Sequence, residues 1–165
     1  MIILGIDPGY ERIGIAIVDK SPSKKEVLLY SECFKTPKTL PFNERLLMIG
    51  QKIGKIITEH NVEAMGIETL FFNSNQKTAM GVSEARGVIM YEAALKRLAI
   101  YEYSPLQIKS TITSYGKSDK EQIIKMIPLL IKITKEIKHD DEYDAIAVAL
   151  TCSANFRGFP QKTLQ

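Results

Sequence analysis

Four acidic residues stand where chemistry could be done. Asp7 closes the apolar, β-rich stretch from Ile2, and Glu68 closes a second such stretch from Ala64. Asp141 and Asp144 lie three apart in a helical pattern, so they share a face one turn apart. Each has an ordinary explanation by itself. Asp7 could be the first residue of an Asp-Pro-Gly turn, and Glu68 a surface acid. Asp140, Asp141, Glu142 and Asp144 could simply favour the positive end of a helix. Together they suggest more. Strand carboxyl ends are where open α/β sheets place ligands. If the two strands are neighbours, Asp7 and Glu68 stand side by side, and a helix could bring the other two acids to them. Four clustered carboxylates repel unless a cation neutralises them. Their hard oxygen atoms suit Mg²⁺ or Mn²⁺. Two such ions can activate water and stabilise a leaving oxygen in phosphoryl transfer.

Other chemistries are poorly supplied. The two cysteines, Cys33 and Cys152, belong to no Cys-x-x-Cys pair, and the only histidines are His60 and His139. A structural zinc site needs about four such ligands at tight spacing. No recognisable nucleophile motif accompanies the histidines, so a Ser/His or Cys/His site is hard to build. Chemistry here therefore rests on carboxylates.

The elements that must position these acids follow from pattern. The chain has 165 residues, 45% hydrophobic and 25% charged, which fits one soluble domain over 1–165. Such a domain buries roughly 70% of its unfolded surface and needs no disulfide to fold. No run approaches the length of a transmembrane helix. The start, Met1 to Asp7, has no basic region and carries an acid within its apolar stretch, so no signal peptide and a cytoplasmic location are expected.

Ile2–Asp7, Arg12–Asp19 and 26–34 read as three successive strands. Ile13, Ile15 and Ile17 alternate on one face of the second; Val27, Leu29, Ser31 and Cys33 share a face of the third. A polar turn is expected over residues 21–25. Helical spacing covers 41–60, with Asn61 as its stop, and Ala64–Glu68 is the fourth strand. A loop with Phe71 and Phe72 leads into a second helix over 76–98. Ala99–Tyr103 is the fifth strand. Ser104 and Ser118 are expected to cap two helices, the first opening on Pro105 and the second running to about Ile133. Asp140–Asn155 is the last helix, and 156–165 a frayed tail. The order β-β-β-α-β-α-β-α-α-α implies an α/β fold: a five-stranded mixed sheet, a three-strand antiparallel meander plus parallel strands, flanked by helices.

Net charge is only +3, too small to identify a nucleic-acid binder. Between Pro105 and Lys138, however, seven lysines face three acids. A solvated helix face would look the same.

The ordered set of motifs resembles the RuvC family of Holliday-junction resolvases. It comprises Gly5-Ile6-Asp7-Pro8-Gly9 with Gly14, Ile67-Glu68 followed by Phe71, and Ser83-Glu84-Ala85-Arg86-Gly87-Val88. Further on come Glu102-Tyr103 through Gln107-Ile108-Lys109, Gly116 through Lys120-Glu121-Gln122-Ile123, and Asp141-Glu142-Tyr143-Asp144-Ala145-Ile146-Ala147-Val148-Ala149. The likeness spans about residues 1 to 152. It implies a ribonuclease-H-like fold and a homodimer that cuts two opposite strands of a four-way DNA junction, leaving 5′-phosphate and 3′-hydroxyl ends. It also implies divalent metal, a preference for certain T-rich sequences, and work with the RuvA–RuvB branch-migration complex. By motif position Asp7, Glu68, Asp141 and Asp144 are the catalytic, metal-binding carboxylates. Lys109 and Lys120 match functional lysines, and Phe71 a junction-facing aromatic. Because His139 and Asp140 precede Asp141, either could take the first ligand position of the last helix. Phe72 could take the place of Phe71.

Lys120, at a helix start, could stabilise charge developing on the phosphate. Lys109, Lys117, Lys125 and Arg86 are candidate phosphate contacts, with an internal ion pair as the alternative for Arg86. Phe71 could stack on an unpaired base at the crossover or tuck onto the core. The small-residue helix from Ala79 to Gly87 could lie at a dimer two-fold or pack on its own sheet. Two rivals remain at this level: an actin-like or sugar-kinase-like nucleotide-binding module, which shares the opening Gly-x-Asp-x-Gly and needs a second lobe, and a noncatalytic junction-binding protein.

Overall fold

The computed structural model describes residues 1–20, 25–70 and 76–156, except the side chains of 76–78. The loop bearing Phe71 and Phe72, most of the 21–25 turn and the tail beyond Phe156 fall outside the described residues.

Five strands form one mixed sheet in the order β3-β2-β1-β4-β5. They are β1 (Ile2–Asp7), β2 (Arg12–Asp19), β3 (Val27–Lys35), β4 (Ala64–Glu68) and β5 (Ala99–Tyr103). β1, β2 and β3 run antiparallel, while β4 and β5 continue parallel to β1. Among the described residues there are also five helices: α1 (Phe42–Glu59), α2 (Gln76–Leu95), α3 (Pro105–Thr113), α4 (Lys120–Leu130) and α5 (Asp140–Asn155).

Strand alternation divides the core between the sheet's two faces. Leu4, Ile6, Ile13, Ile15 and Ile17 pack against α1 and α2 through Ile49, Ile53, Ala85, Ile89 and Ala93. Ile3, Ala16, Val18 and Leu28 point to the other face, against α3, α4 and α5. α5 lies closest to the sheet, and every residue from Ala145 to Ser153 is buried. Its small side chains permit this, and so does Gly5, where a Cβ would overlap the backbone of Ala145 and Ala149.

Several local expectations needed correction. Ile17 pairs with Tyr30 but Val18 with Leu28, so Leu29 is a bulge residue. A bulge shifts the side-chain phase: Leu28 is buried, and Leu29, expected on the face of Ser31 and Cys33, is exposed. Asp119, not Ser118, caps α4, its side chain accepting from Gln122 N in a capping box. Ser118 instead is buried and donates from Oγ to the Tyr115 carbonyl. α4 stops at Leu130 rather than near Ile133, where the chain turns to pair Lys132 with the start of β3. α2 ends at Leu95, because Arg97 adopts φ 57° and Leu98 N returns to the Ala93 carbonyl. The Ser104 cap of α3 forms as expected, with Pro105 in its first turn.

Candidate active site

Register places the first two acids. Ile6 pairs with Ile67, so Asp7 and Glu68 emerge side by side from the carboxyl ends of β1 and β4. α5 crosses the same sheet face and brings Asp141 and Asp144 in its first two turns. Asp7 pairs with Gly14 on β2, and a Cβ at Gly14 would overlap the carbonyl of Asp141. Close approach of α5 to β2 therefore needs a residue without a side chain there.

The electrostatics report mutual proximity. Burial pushes the Asp7 carboxyl up to about 8, helped by repulsion from Glu68, Asp144 and Asp141, while Lys120 opposes the shift. Burial likewise raises Glu68 to about 7, with repulsion from Asp144 added and Lys109 opposing. Asp144 is also raised by burial, and its hydrogen bond from Lys120 works against that. Carboxyls raised by burial and by one another in a cleft mark a candidate functional site.

Two side-chain cations share the task. Lys120 Nζ donates to Asp144 Oδ2 at 2.9 Å and lies 3.4 Å from Asp140 Oδ2. Arg12 on β2 pairs with Asp141, whose Oδ2 also lies 3.5 Å from Cys33 Sγ. Asp141 and Asp144 are thus engaged by cations. Among the described residues no three acid, histidine or cysteine side chains are already gathered as a metal cage. The donor set nonetheless fits a hard divalent cation: it is all carboxylate oxygen, comes from three rigid elements, and is short of positive charge.

Of the alternatives for the first ligand position of α5, Asp141 is the one repelling Asp7, while Asp140 is exposed and shares Lys120 with Asp144. His139 precedes the helix, and its ring nitrogen stands 3.5 Å from Lys35 Nζ. A small cleft of about 90 Å³ adjoins the acids, lined by Glu68, Lys109, Asp144, Pro105, Ile108, Ile123 and Ala147. Lys117 and Lys125 are exposed, Lys125 pairing loosely with Glu121 at 3.8 Å. Arg86 realises its internal alternative: it pairs with Glu102 and donates from Nε to the Glu68 carbonyl at 3.2 Å. That bond ties α2 to the strand end that presents Glu68. The roles read for Phe71 and Phe72 lie outside the described residues.

Sequence reasoning missed Arg12, because nothing local tells that a strand's first residue faces a helix far along the chain. Glu142 belongs by spacing with the first-turn acids, but its side chain turns inward, which local pattern does not signal.

The profile of the family described as "Crossover junction endodeoxyribonuclease RuvC" matches residues 3–152. The chain belongs to the RuvC family. A RuvC from Alkaliphilus oremlandii is 44% identical over 161 residues, covering 98% of this chain and 97% of that relative. A RuvC from Clostridioides difficile is 39% identical over 165 residues, covering 100% and 96%. Among solved structures, Thermus thermophilus RuvC in complex with Holliday junction substrate superposes with a TM-score of 0.85 at 28% identity, covering 92% of each chain. RuvC membership gives the enzyme class, a crossover junction endodeoxyribonuclease acting in recombination and repair, and the ribonuclease-H-like fold expected from the motifs. The RuvC nuclease fold also implies dependence on a divalent metal. No helix among the described residues is long and apolar enough to cross a membrane.

Proposed function

We propose that this chain is one nuclease domain that resolves four-way DNA junctions as a homodimer, nicking two opposite strands symmetrically. The observation that carries the reading is the convergence of Asp7, Glu68 and Asp144 with Lys120: Asp7 and Glu68 end neighbouring strands, Glu68 and Asp144 line one cleft, and Lys120 donates to Asp144. Asp7, Glu68, Asp141 and Asp144 would hold Mg²⁺, with Mn²⁺ able to substitute, two ions to a site. Bound there, the ions would supply an activated water and charge compensation at the departing 3′ oxygen.

The chain's own residues do the rest. Asp7 and Glu68, side by side at the ends of β1 and β4, present their carboxylates from fixed strand ends. Lys120 exchanges Asp144 for a non-bridging phosphate oxygen and stabilises the charge that grows there. Lys109, beside Glu68, and the exposed Lys117 and Lys125 hold phosphates of the junction arms. Phe71, or its neighbour Phe72, stacks on a base opened at the crossover. Arg86 acts through the Glu68 backbone rather than on DNA directly.

A two-fold substrate calls for an isologous dimer with two equivalent sites. The α1/α2 face offers the apolar material: Leu47, Met80, Tyr91 and Leu95 are all exposed, beside a groove of about 570 Å³ lined in part by Leu46, Leu47, Val88 and Tyr91. The small-residue stripe divides: Ala85 is buried on the sheet, while the Cα of Gly87 faces open space. A cytoplasmic protein working with the RuvA–RuvB complex completes the reading.

The test is cleavage of a labelled synthetic four-way junction with and without Mg²⁺, beside linear duplex and Asp7→Asn. Paired symmetric nicks on the junction alone, lost in Asp7→Asn, are expected; uncut junction or equal cutting of duplex would reject the reading. Sedimentation at micromolar concentration should give a dimer.

A further inference from the structure

Between Asp141 and Asp144 on α5 stands an acid that turns the other way. Glu142 is only 4% exposed and faces β3 rather than the acid cluster. Its Oε2 accepts from Ser31 Oγ on β3 at 2.6 Å and from Lys135 Nζ at 2.8 Å. Its Oε1 accepts from the backbone N–H of Lys138 at 3.2 Å and of His139 at 3.3 Å. Lys135 Nζ also donates to the Ser31 carbonyl at 2.6 Å. One carboxylate thus joins three segments: β3, the strap over 131–139, and the first turn of α5. Burial opposes its charge, but the bonds from Lys135, Ser31 and Lys138 outweigh that and hold the carboxyl below its ordinary range.

The strap links α4, which begins with Lys120, to α5, which carries Asp141 and Asp144. Its other end is pinned to the start of β3 and the residue before it by backbone bonds from Leu28 N–H to the Lys132 carbonyl and from Lys132 N–H to the Glu26 carbonyl. The middle of α5 does not depend on this anchor, because Ala145 to Ser153 are held by the core itself. The first turn, where the acids begin, lies outside that core and is held by the bonds of Glu142 together with the Arg12–Asp141 pair and the contact of Gly14 with the Asp141 carbonyl.

We propose that Glu142 is a positioning residue for the acid cluster: by docking the first turn of α5 and the 131–139 strap on β3, it fixes the aim of Asp141 and Asp144. The inference rests on the reading of those acids as metal ligands. Partners that orient ligands in this way commonly govern metal affinity without touching the metal.

Glu142→Gln is the informative change. Glutamine keeps the size and one acceptor oxygen for Lys138 and His139. Its amide nitrogen, however, would face the Lys135 ammonium, which has no acceptor to offer. The expected result is native circular dichroism and a cooperative melt, with Mn²⁺ affinity, titrated with Mn²⁺ alone well below the melting temperature, lower by about tenfold. With junction substrate, kcat should fall by a similar factor while KM and junction-binding affinity stay within about twofold, a split that general loosening of the fold would not give. A folded Glu142→Gln with wild-type Mn²⁺ affinity and wild-type kcat overturns the proposal. Should Glu142→Gln fail to fold, Lys135→Met, at a half-exposed position, carries the test: reduced Mn²⁺ affinity supports the proposal and unchanged affinity overturns it. Wild type and Asp144→Asn run alongside. If wild type neither binds Mn²⁺ nor cuts, the functional reading itself fails. If wild type does both, Asp144→Asn loses Mn²⁺ and Glu142→Gln matches wild type, only the role of Glu142 is lost.

Discussion

The α-carbon of Gly14 lies against the backbone carbonyl of Asp141, so the start of α5 rests on β2 where any side chain would hold it off. Gly14 is also the register partner of Asp7. One glycine therefore sets the spacing between an acid of β1 and an acid of α5. Gly14→Ala should cost about 1–3 kcal/mol by forcing the helix outward. Cleavage should fall much further than that loss implies, because metal ligands tolerate little displacement. Thermal melting beside junction cleavage checks it: a Gly14→Ala protein that melts lower but cuts normally would refute the spacing argument.

The raised carboxyls make stability depend on pH in a stated direction. Asp7 moves from an ordinary 3.8 to about 8, and Glu68 from 4.5 to about 7. An acid whose folded-state pKa lies above its unfolded value keeps a proton that the unfolded chain has released, so stability falls as pH rises between the two values. In a chelating buffer the melting temperature should therefore decline from about pH 4 to about pH 8 through these groups. Asp7→Asn should flatten that decline and stabilise the protein at pH 8 by about 2–4 kcal/mol. A steeper slope in Asp7→Asn would contradict the assignment.

Protons and divalent ions compete for the same oxygens. Saturating Mn²⁺ should raise the melting temperature more at pH 8 than at pH 6, since loading at the lower pH must first displace protons from Asp7 and Glu68. Equal shifts at both pH values would mean that Mn²⁺ binds elsewhere.

Lys120 is half exposed and its bonds to Asp144 and Asp140 lie at the surface. Such pairs contribute about 0–1 kcal/mol, so Lys120→Met should melt close to wild type. Single-turnover cleavage should drop by about 10²–10³, the usual cost of losing a group that stabilises transition-state charge. Unchanged cleavage in Lys120→Met would leave the lysine as a mere counter-ion of Asp144.

Phosphate contacts predict how binding responds to salt. Junction affinity should fall log-linearly with salt concentration, and Lys109→Ala, Lys117→Ala and Lys125→Ala should each flatten that dependence by about one phosphate contact. A variant whose slope equals that of wild type has lost no contact.

Much of the fold is legible in the sequence. The five strands, the helix opening at Ser104-Pro105 and the helix of Asp140–Asn155 follow from alternation, spacing and caps, which act over a few residues. Motif order likewise marked Asp7, Glu68, Asp141 and Asp144. The sequence could state the neighbourhood of Asp7 and Glu68 only as a condition, and the pairing of Ile6 with Ile67 met it. Other features belong to tertiary structure alone. The bulge at Leu29 exists only in the pairing of β3 with β2, beyond which Ser31 and Cys33 face α5. The Arg12–Asp141 pair, the Arg86 bond to the Glu68 carbonyl and the inward turn of Glu142 each join residues from different elements. Residue type and local spacing determined which groups this chain possesses and which elements carry them. Which of those groups meet was decided by packing two helical layers on one sheet, because the energy of each meeting depends on partners that the local sequence does not contain.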